Sequence, residues 1–317
     1  MLYRSVEYLG KHATLFLALG VFSGFVVPAL AHAARPLLLP ALMIPLTIAL
    51  LRVNWRTLGS YVRGLRLIAA ALGWLMIASP IVVWCAAAGL GLPRGLVEGL
   101  TLMAASSPIF AGAALALIVG LDGALAIVII VFATALVPFT LPPLTLALLG
   151  IELDIGLATL TARLAAIVGT GFAAAWIVRH LVRKESLERH ARALDGTAVA
   201  FLVVFAMAIM DGVMAYALQR PGYVIGCALA ALAGNLLLQA LGTLVFVKLG
   251  LKRALTLGLL SGNCNMGLVL IALGDKASVE VQIFFGVAQV PVYILPALLL
   301  PVYRGLLARF TRPAASG

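Results

Sequence analysis

Charge is what this sequence has least of. Lys, Arg, Asp and Glu make up 10% of its 317 residues, where a soluble domain carries roughly 25%. That scarcity excludes an ordinary water-soluble globule. Cysteine is equally rare: Cys85, Cys227 and Cys264 form no CxxC pair, which excludes a disulfide framework and a structural zinc site. Of the four histidines, His180 and His190 share one polar connection with no third ligand nearby, so a solvated or headgroup-facing role suits them better than a metal. The apolar segments hold no HExxH, no aspartate-rich diphosphate motif, and no Ser/His or paired-aspartate constellation. An enzyme is therefore not expected. The net charge of +11 comes with no nucleic-acid-binding motif, so no nucleic acid is expected as a partner.

What the chain has is apolar length. It is 64% hydrophobic with a mean hydropathy of +1.16. Runs of about 20 apolar residues each reach across a bilayer as a helix. These runs predict an all-α polytopic protein with the lipid bilayer as its principal partner. Ten spans are expected, near 13–32, 35–51, 67–90, 95–119, 122–149, 155–178, 197–218, 222–248, 254–273 and 280–303. The first run, from Ala13, follows a charged start and lacks a small-residue cleavage site, so it reads as a retained span. Seventeen basic residues flank the two termini and the 2–3, 6–7 and 8–9 connections, against Arg35, Arg94, Arg220 and Lys276 on the opposite side. This bias puts both termini in the cytoplasm, and a bacterial inner membrane is the expected location.

The polar connection 179–196 carries mixed charges at helical spacing and ends in Gly196. It reads as a short interfacial helix. It separates two groups of five spans, 1–150 and 151–317. An odd number per group makes the second enter the membrane from the opposite side, which permits an inverted repeat.

Two spans carry interruptions at corresponding places. In span 4, Ser106, Ser107 and Pro108 lie about nine residues from the start, roughly 13 Å deep at 1.5 Å per residue. In span 9, Ser261, Gly262, Asn263, Cys264 and Asn265 lie at similar depth from the opposite face. Matched breaks near the midplane point to a transport site. Pro108 suits the first turn of a new half-helix with Ser107 as its N-cap. Gly262 can end a helix in the left-handed conformation, and Asn263 can cap the next. Half-helix starts attract negative charge. The candidate substrate contacts are therefore Ser106, Ser107, Pro108, Ser261, Asn263, Cys264 and Asn265. Within spans 6 and 7, Arg163 and Asp211 lie at comparable depth and predict an intramembrane ion pair. Asn235 and Gln239, one turn apart in span 8, predict interhelical hydrogen bonds.

The stretch SGNCNMGLVLIAL resembles the ninth-span motif of the bile acid:sodium symporter (BASS) family, through Gly262, Asn265 and Gly267. SSPIFAGAALALIVGLDGALA resembles the family's fourth-span crossover, through Pro108, Gly112, Asp122 and Gly123. Pro80 and LTIALLRVNW fit its third and second spans. The resemblance implies ten helices in two inverted repeats. A panel of spans 1, 2, 6 and 7 faces a core of spans 3–5 and 8–10, and the broken spans 4 and 9 cross in that core. Family members carry organic anions, often with sodium. Their sodium ligands, however, are replaced here by Leu75, Ala113, Ala114, Ala126, Ile130, Leu260 and Cys264. The expectation is alternating-access transport of a small or amphipathic organic anion, without the usual two sodium sites and with proton coupling left open. Neither a metal nor an organic cofactor is expected. The alternative is arsenite-type efflux, motivated by Cys264, although the span 4 cysteine associated with such permeases is absent.

Overall fold

The computed structural model describes residues 8–10, 12–53, 55, 64–150 and 156–311. Among the described residues the fold is 88% helical, with no strands. That is what a bilayer demands, because a helix satisfies its own backbone polar groups where no water can. Helices α1 (Ala13–Val26), α2 (Pro28–Ala34) and α3 (Leu38–Leu51) open the described chain, with a 3₁₀ turn at Arg35–Leu37. Next come α4 (Leu65–Gly73) and α5 (Ser79–Gly89), joined through a π turn at Trp74–Ala78. Helices α6 (Arg94–Ala105), α7 (Ala111–Val119) and α8 (Gly123–Leu149) complete the first part. Then follow α9 (Leu157–Leu181), α10 (Lys184–Arg189), α11 (Ala191–Ala208), α12 (Val213–Gln219) and α13 (Pro221–Val245). Last are α14 (Leu251–Gly262), α15 (Met266–Leu273) and α16 (Val279–Thr311).

Among the described residues, seven helical stretches are long and apolar enough to cross a membrane: Pro28–Leu51, Leu65–Gly89, Gly123–Leu149, Leu157–Leu181, Ala191–Gln219, Pro221–Val245 and Val279–Ala308. The outer surface bears exposed Phe22, Phe139, Trp176, Leu229 and Leu237. In water such a surface would aggregate, whereas in lipid it is the solvated face. The protein is an integral, all-α membrane protein.

Pro28 explains where the first helix stops. Val27 precedes Pro28 and leaves the helical region at φ −119°, ψ 83°, since a following proline ring disfavours α backbone. The first apolar helix therefore ends at Val26, not near residue 32. Gly196 lies inside α11 and does not end the interfacial helix, which is only Lys184–Arg189. A Cβ on Gly10 would stand 3.4 Å from Gly196 N, in ordinary van der Waals contact, so the segment at Gly10 lies against α11.

Helix α11 packs on α1, α2 and α3, and α9 packs on α3. Separately, α13 packs on α14 and α16, while α6 packs on α5 and α16. Helix α8 touches α6, α7, α9 and α14, and 61% of its apolar window is buried, against 22% for α9. Helix α8 is thus central and α9 peripheral.

The expected Arg163–Asp211 pair does not form. Asp211 instead accepts from Arg35 Nη1 at 3.0 Å, with His32 Nδ1 at 3.5 Å. The cause is register. Arg52 pairs with Asp195 at the other end of the same helix pair, and Arg35 and Asp211 stand almost equal distances along the chain from that clamp. Arg163 Nη1 donates to Ala272 O at 3.4 Å, at the C-terminal end of α15, where a helix exposes unpaired carbonyls and negative dipole.

Candidate functional site

Helix α6 stops at Ala105, and Ser106 turns extended (φ −73°, ψ 152°) before α7 resumes at Ala111. Helix α14 stops at Gly262, with Asn263 at φ −95°, ψ 82°, before α15 resumes at Met266. The two unwound segments meet as an antiparallel bridge between Pro108 and Cys264. Ile109 N–H donates to Asn263 O at 2.9 Å, and Asn265 N–H donates to Ser107 O at 2.7 Å. Each break thereby supplies backbone partners that the other's lost helical bonds would leave wanting.

The bridge alters the expected capping. Pro108 sits in the bridge and not in the first turn of α7, whose N-cap is Phe110 without a side-chain bond. Ser107 therefore does not cap. Gly262 is not among the glycines of positive φ; it is the last residue of α14. The N-cap of α15 is Asn265, not Asn263, and its side chain makes no capping bond.

Most polar side chains of the candidate set are turned back on their own helices. Ser106 Oγ donates to Leu102 O at 2.7 Å, and Ser261 Oγ donates to Leu257 O at 2.8 Å. Cys264 Sγ donates to Ser261 O at 3.4 Å. Asn263 Nδ2 donates to Leu259 O at 2.8 Å, which fixes the amide orientation and turns Oδ1 the other way. Three groups remain. Asn263 Oδ1 and Ser107 Oγ are buried with no hydrogen-bond partner among the described residues. Asn265 is half-buried, and among the described residues its side chain makes no hydrogen bond, the bond to Ser107 O being through its backbone. An unpaired buried acceptor costs about 1–3 kcal/mol, so these groups mark a place where a ligand has something to gain.

Neighbouring helices pin the breaks. Tyr303 OH donates to Gln239 Oε1 at 2.5 Å, Gln239 Nε2 donates to Asn235 Oδ1 at 2.5 Å, and Asn235 Nδ2 donates to Gly262 O at 2.7 Å. This chain runs from α16 through α13 to the last residue of α14. Trp74 Nε1, in the π turn, donates to Ser261 Oγ at 3.0 Å. Tyr303 and Trp74 escaped the sequence reading. A π turn has no clear composition signal, and Tyr303 lies near the end of a long apolar helix where aromatic residues are ordinary.

Around α7, apolar groups occupy positions that the resemblance assigns to ion ligands. A Cβ on Gly112 would stand 3.0 Å from Leu260 Cδ2 and 3.6 Å from Ile130 Cδ1. Leu75, Ala126, Ile130 and Leu260 are all buried. Arg163 acts at the far end of α15, whose eight residues span about 12 Å, so it does not join the bridge. Among the described residues no three His, Cys, Asp or Glu side chains cluster to hold a metal.

The chain matches no family profile and no curated protein sequence.

Proposed function

We propose that this protein is a secondary transporter of a small or amphipathic organic anion, working by alternating access around the two bridged breaks. One observation carries the reading: two interrupted apolar helices exchange backbone hydrogen bonds at their breaks and leave Ser107 Oγ and Asn263 Oδ1 buried without partners among the described residues. Unwound backbone inside a membrane is tolerated where it is enclosed by protein or lines a cavity, and paired broken helices are how transporters build midplane sites.

The proposal includes ten spans in two inverted five-helix repeats and kinship with the BASS family. Helices α6–α7 would be span 4, and α14–α15 would be span 9. The packing of α11 on α1–α3 and of α9 on α3, beside that of α13 on α14 and α16, supports a panel and a core that meet where α8 packs on α9 and α16 on α1.

The free groups define the substrate's head. Asn265 and Ser107 offer donors to an acidic group, whereas Asn263 Oδ1 accepts. A hydroxyl beside the acidic group, or a proton carried with it, satisfies that acceptor. Sodium is dispensable in this reading, because methyl groups of Leu260 and Ile130 fill the space beside Gly112. Arsenite efflux is the weaker reading, since the Cys264 thiol is buried and already bonded to Ser261 O.

Counterflow of labelled small organic acids into proteoliposomes tests the proposal. Saturable exchange is expected, equal within about twofold in sodium and in choline. Asn265→Leu should weaken apparent affinity about tenfold, the worth of one or two hydrogen bonds of roughly 0.5–1.5 kcal/mol. Folded protein that exchanges none of the acids, or an unchanged Asn265→Leu variant, overturns it.

A further inference from the structure

At the end of α6 away from the bridge, a cavity of about 550 Å³ opens between the starts of α6, α13 and α16 and the end of α12. Cavities of about 300–1,000 Å³ are the size that holds small ligands. Its apolar floor includes Leu102 and Leu273. Leu102 O accepts from Ser106 Oγ, so the floor lies one helical turn from the bridged breaks and is distinct from them.

The walls carry one more cationic than acidic side chain. Arg94, Arg220 and Lys276 line the cavity against Glu98 and Glu280. Glu98 is already neutralised by Arg94 Nε at 2.7 Å, and Glu280 receives Tyr216 OH at 3.5 Å. Arg220 is exposed and lies over the Tyr216 ring at 5.9 Å; it pairs with no carboxylate among the described residues. Tyr223 lines the same wall, and among the described residues its buried hydroxyl has no nitrogen or oxygen partner, only the Cys227 thiol beside it. Three helices of 12, 25 and 33 residues also start at this cavity, each adding the positive end of its dipole. The negative end of α15 arrives there too, but its Ala272 carbonyl is taken by Arg163.

We propose that this cavity is a second binding site, for a small organic monoanion with an apolar body. The acidic group sits at Arg220, with Lys276 lining the same cavity, and the apolar end rests on Leu102 and Leu273. The site stands whether or not the bridged breaks transport.

Equilibrium dialysis of the full chain in detergent, with labelled benzoate as the probe, tests this. Saturable binding is expected, at least tenfold tighter than that of neutral benzamide, and weakened by added salt. Arg220→Gln and Lys276→Gln should each weaken it about fivefold, while Asn265→Leu leaves it unchanged. No saturable benzoate binding, equal binding of benzamide, or unchanged affinity in both charge variants overturns the site. Binding lost in Asn265→Leu and kept in Arg220→Gln also overturns it, while leaving the transport reading in place.

Discussion

Asp211 and Arg35 meet at 3.0 Å because helices α3 and α11 are clamped a second time, at Arg52 and Asp195. The Asp211 side chain is 15% exposed and that of Arg35 47%, so the pair is only partly desolvated and worth about 0.5–1 kcal/mol. In a double-mutant cycle with Arg35→Ala and Asp211→Ala, read by thermal unfolding in detergent, a coupling of that size is expected. The same cycle with Arg163→Ala and Asp211→Ala should add to within about 0.5 kcal/mol. Coupling in the second cycle and none in the first would show that the ion-pair assignment is reversed. Gly258 sets a sterner limit. A Cβ there would collide with Thr243 Oγ1 and stand 2.5 Å from Gln239 O. Because the second obstacle is backbone, Gly258→Ala is expected to cost about 1–3 kcal/mol by overpacking. An unchanged unfolding temperature would mean that α13 and α14 stand further apart than this.

At the scale of elements, the decisive feature is that each broken helix takes backbone hydrogen bonds from the other's break. Helices α7 and α15, with nine and eight residues, start at unwound backbone whose polar groups need partners inside the protein. They are fixed by the bridge and by the Tyr303–Gln239–Asn235–Gly262 chain. The members of that chain are not equivalent. Asn235→Leu strips the partner from Gly262 O inside the protein and is expected to cost about 1–3 kcal/mol. Tyr303→Phe removes a terminal donor and leaves one Gln239 acceptor unpaired, so a smaller loss is expected. Unfolding midpoints of the two variants check the order, and a greater loss for Tyr303→Phe would contradict it. The π turn at Trp74–Ala78 belongs to the same assembly, since it presents the Trp74 indole to Ser261 Oγ.

For the whole molecule, the basic flanks and the long helices give one orientation prediction. Arg179 donates to Val53 O at 2.8 Å, and Arg52 meets Asp195, so two of the basic connections lie at one end of the bundle. That clustering is the pattern of a cytoplasmic face. Green fluorescent protein fused to the C-terminus should therefore fluoresce, while alkaline phosphatase fused there should stay inactive. The opposite result would invert the protein in the membrane. It would also exchange the sides on which the cavity at Arg94 and Arg220 and the Arg52–Asp195 clamp lie.

Composition alone determines that this is a helical membrane protein: with so few charges, every long apolar run must find lipid or another helix. Local chemistry also marks where α6 and α14 end, because a Ser-Ser-Pro and a Ser-Gly-Asn sequence weaken helical continuity wherever they occur. What the sequence does not determine is which groups meet. Asp211 selects Arg35 over Arg163, Pro108 bridges to Cys264 instead of starting a helix, and Asn263 turns its amide nitrogen to Leu259. Each of these outcomes depends on the distance between atoms that packing brings together. Residue spacing along one helix fixes its face and depth, but only tertiary structure fixes its neighbour.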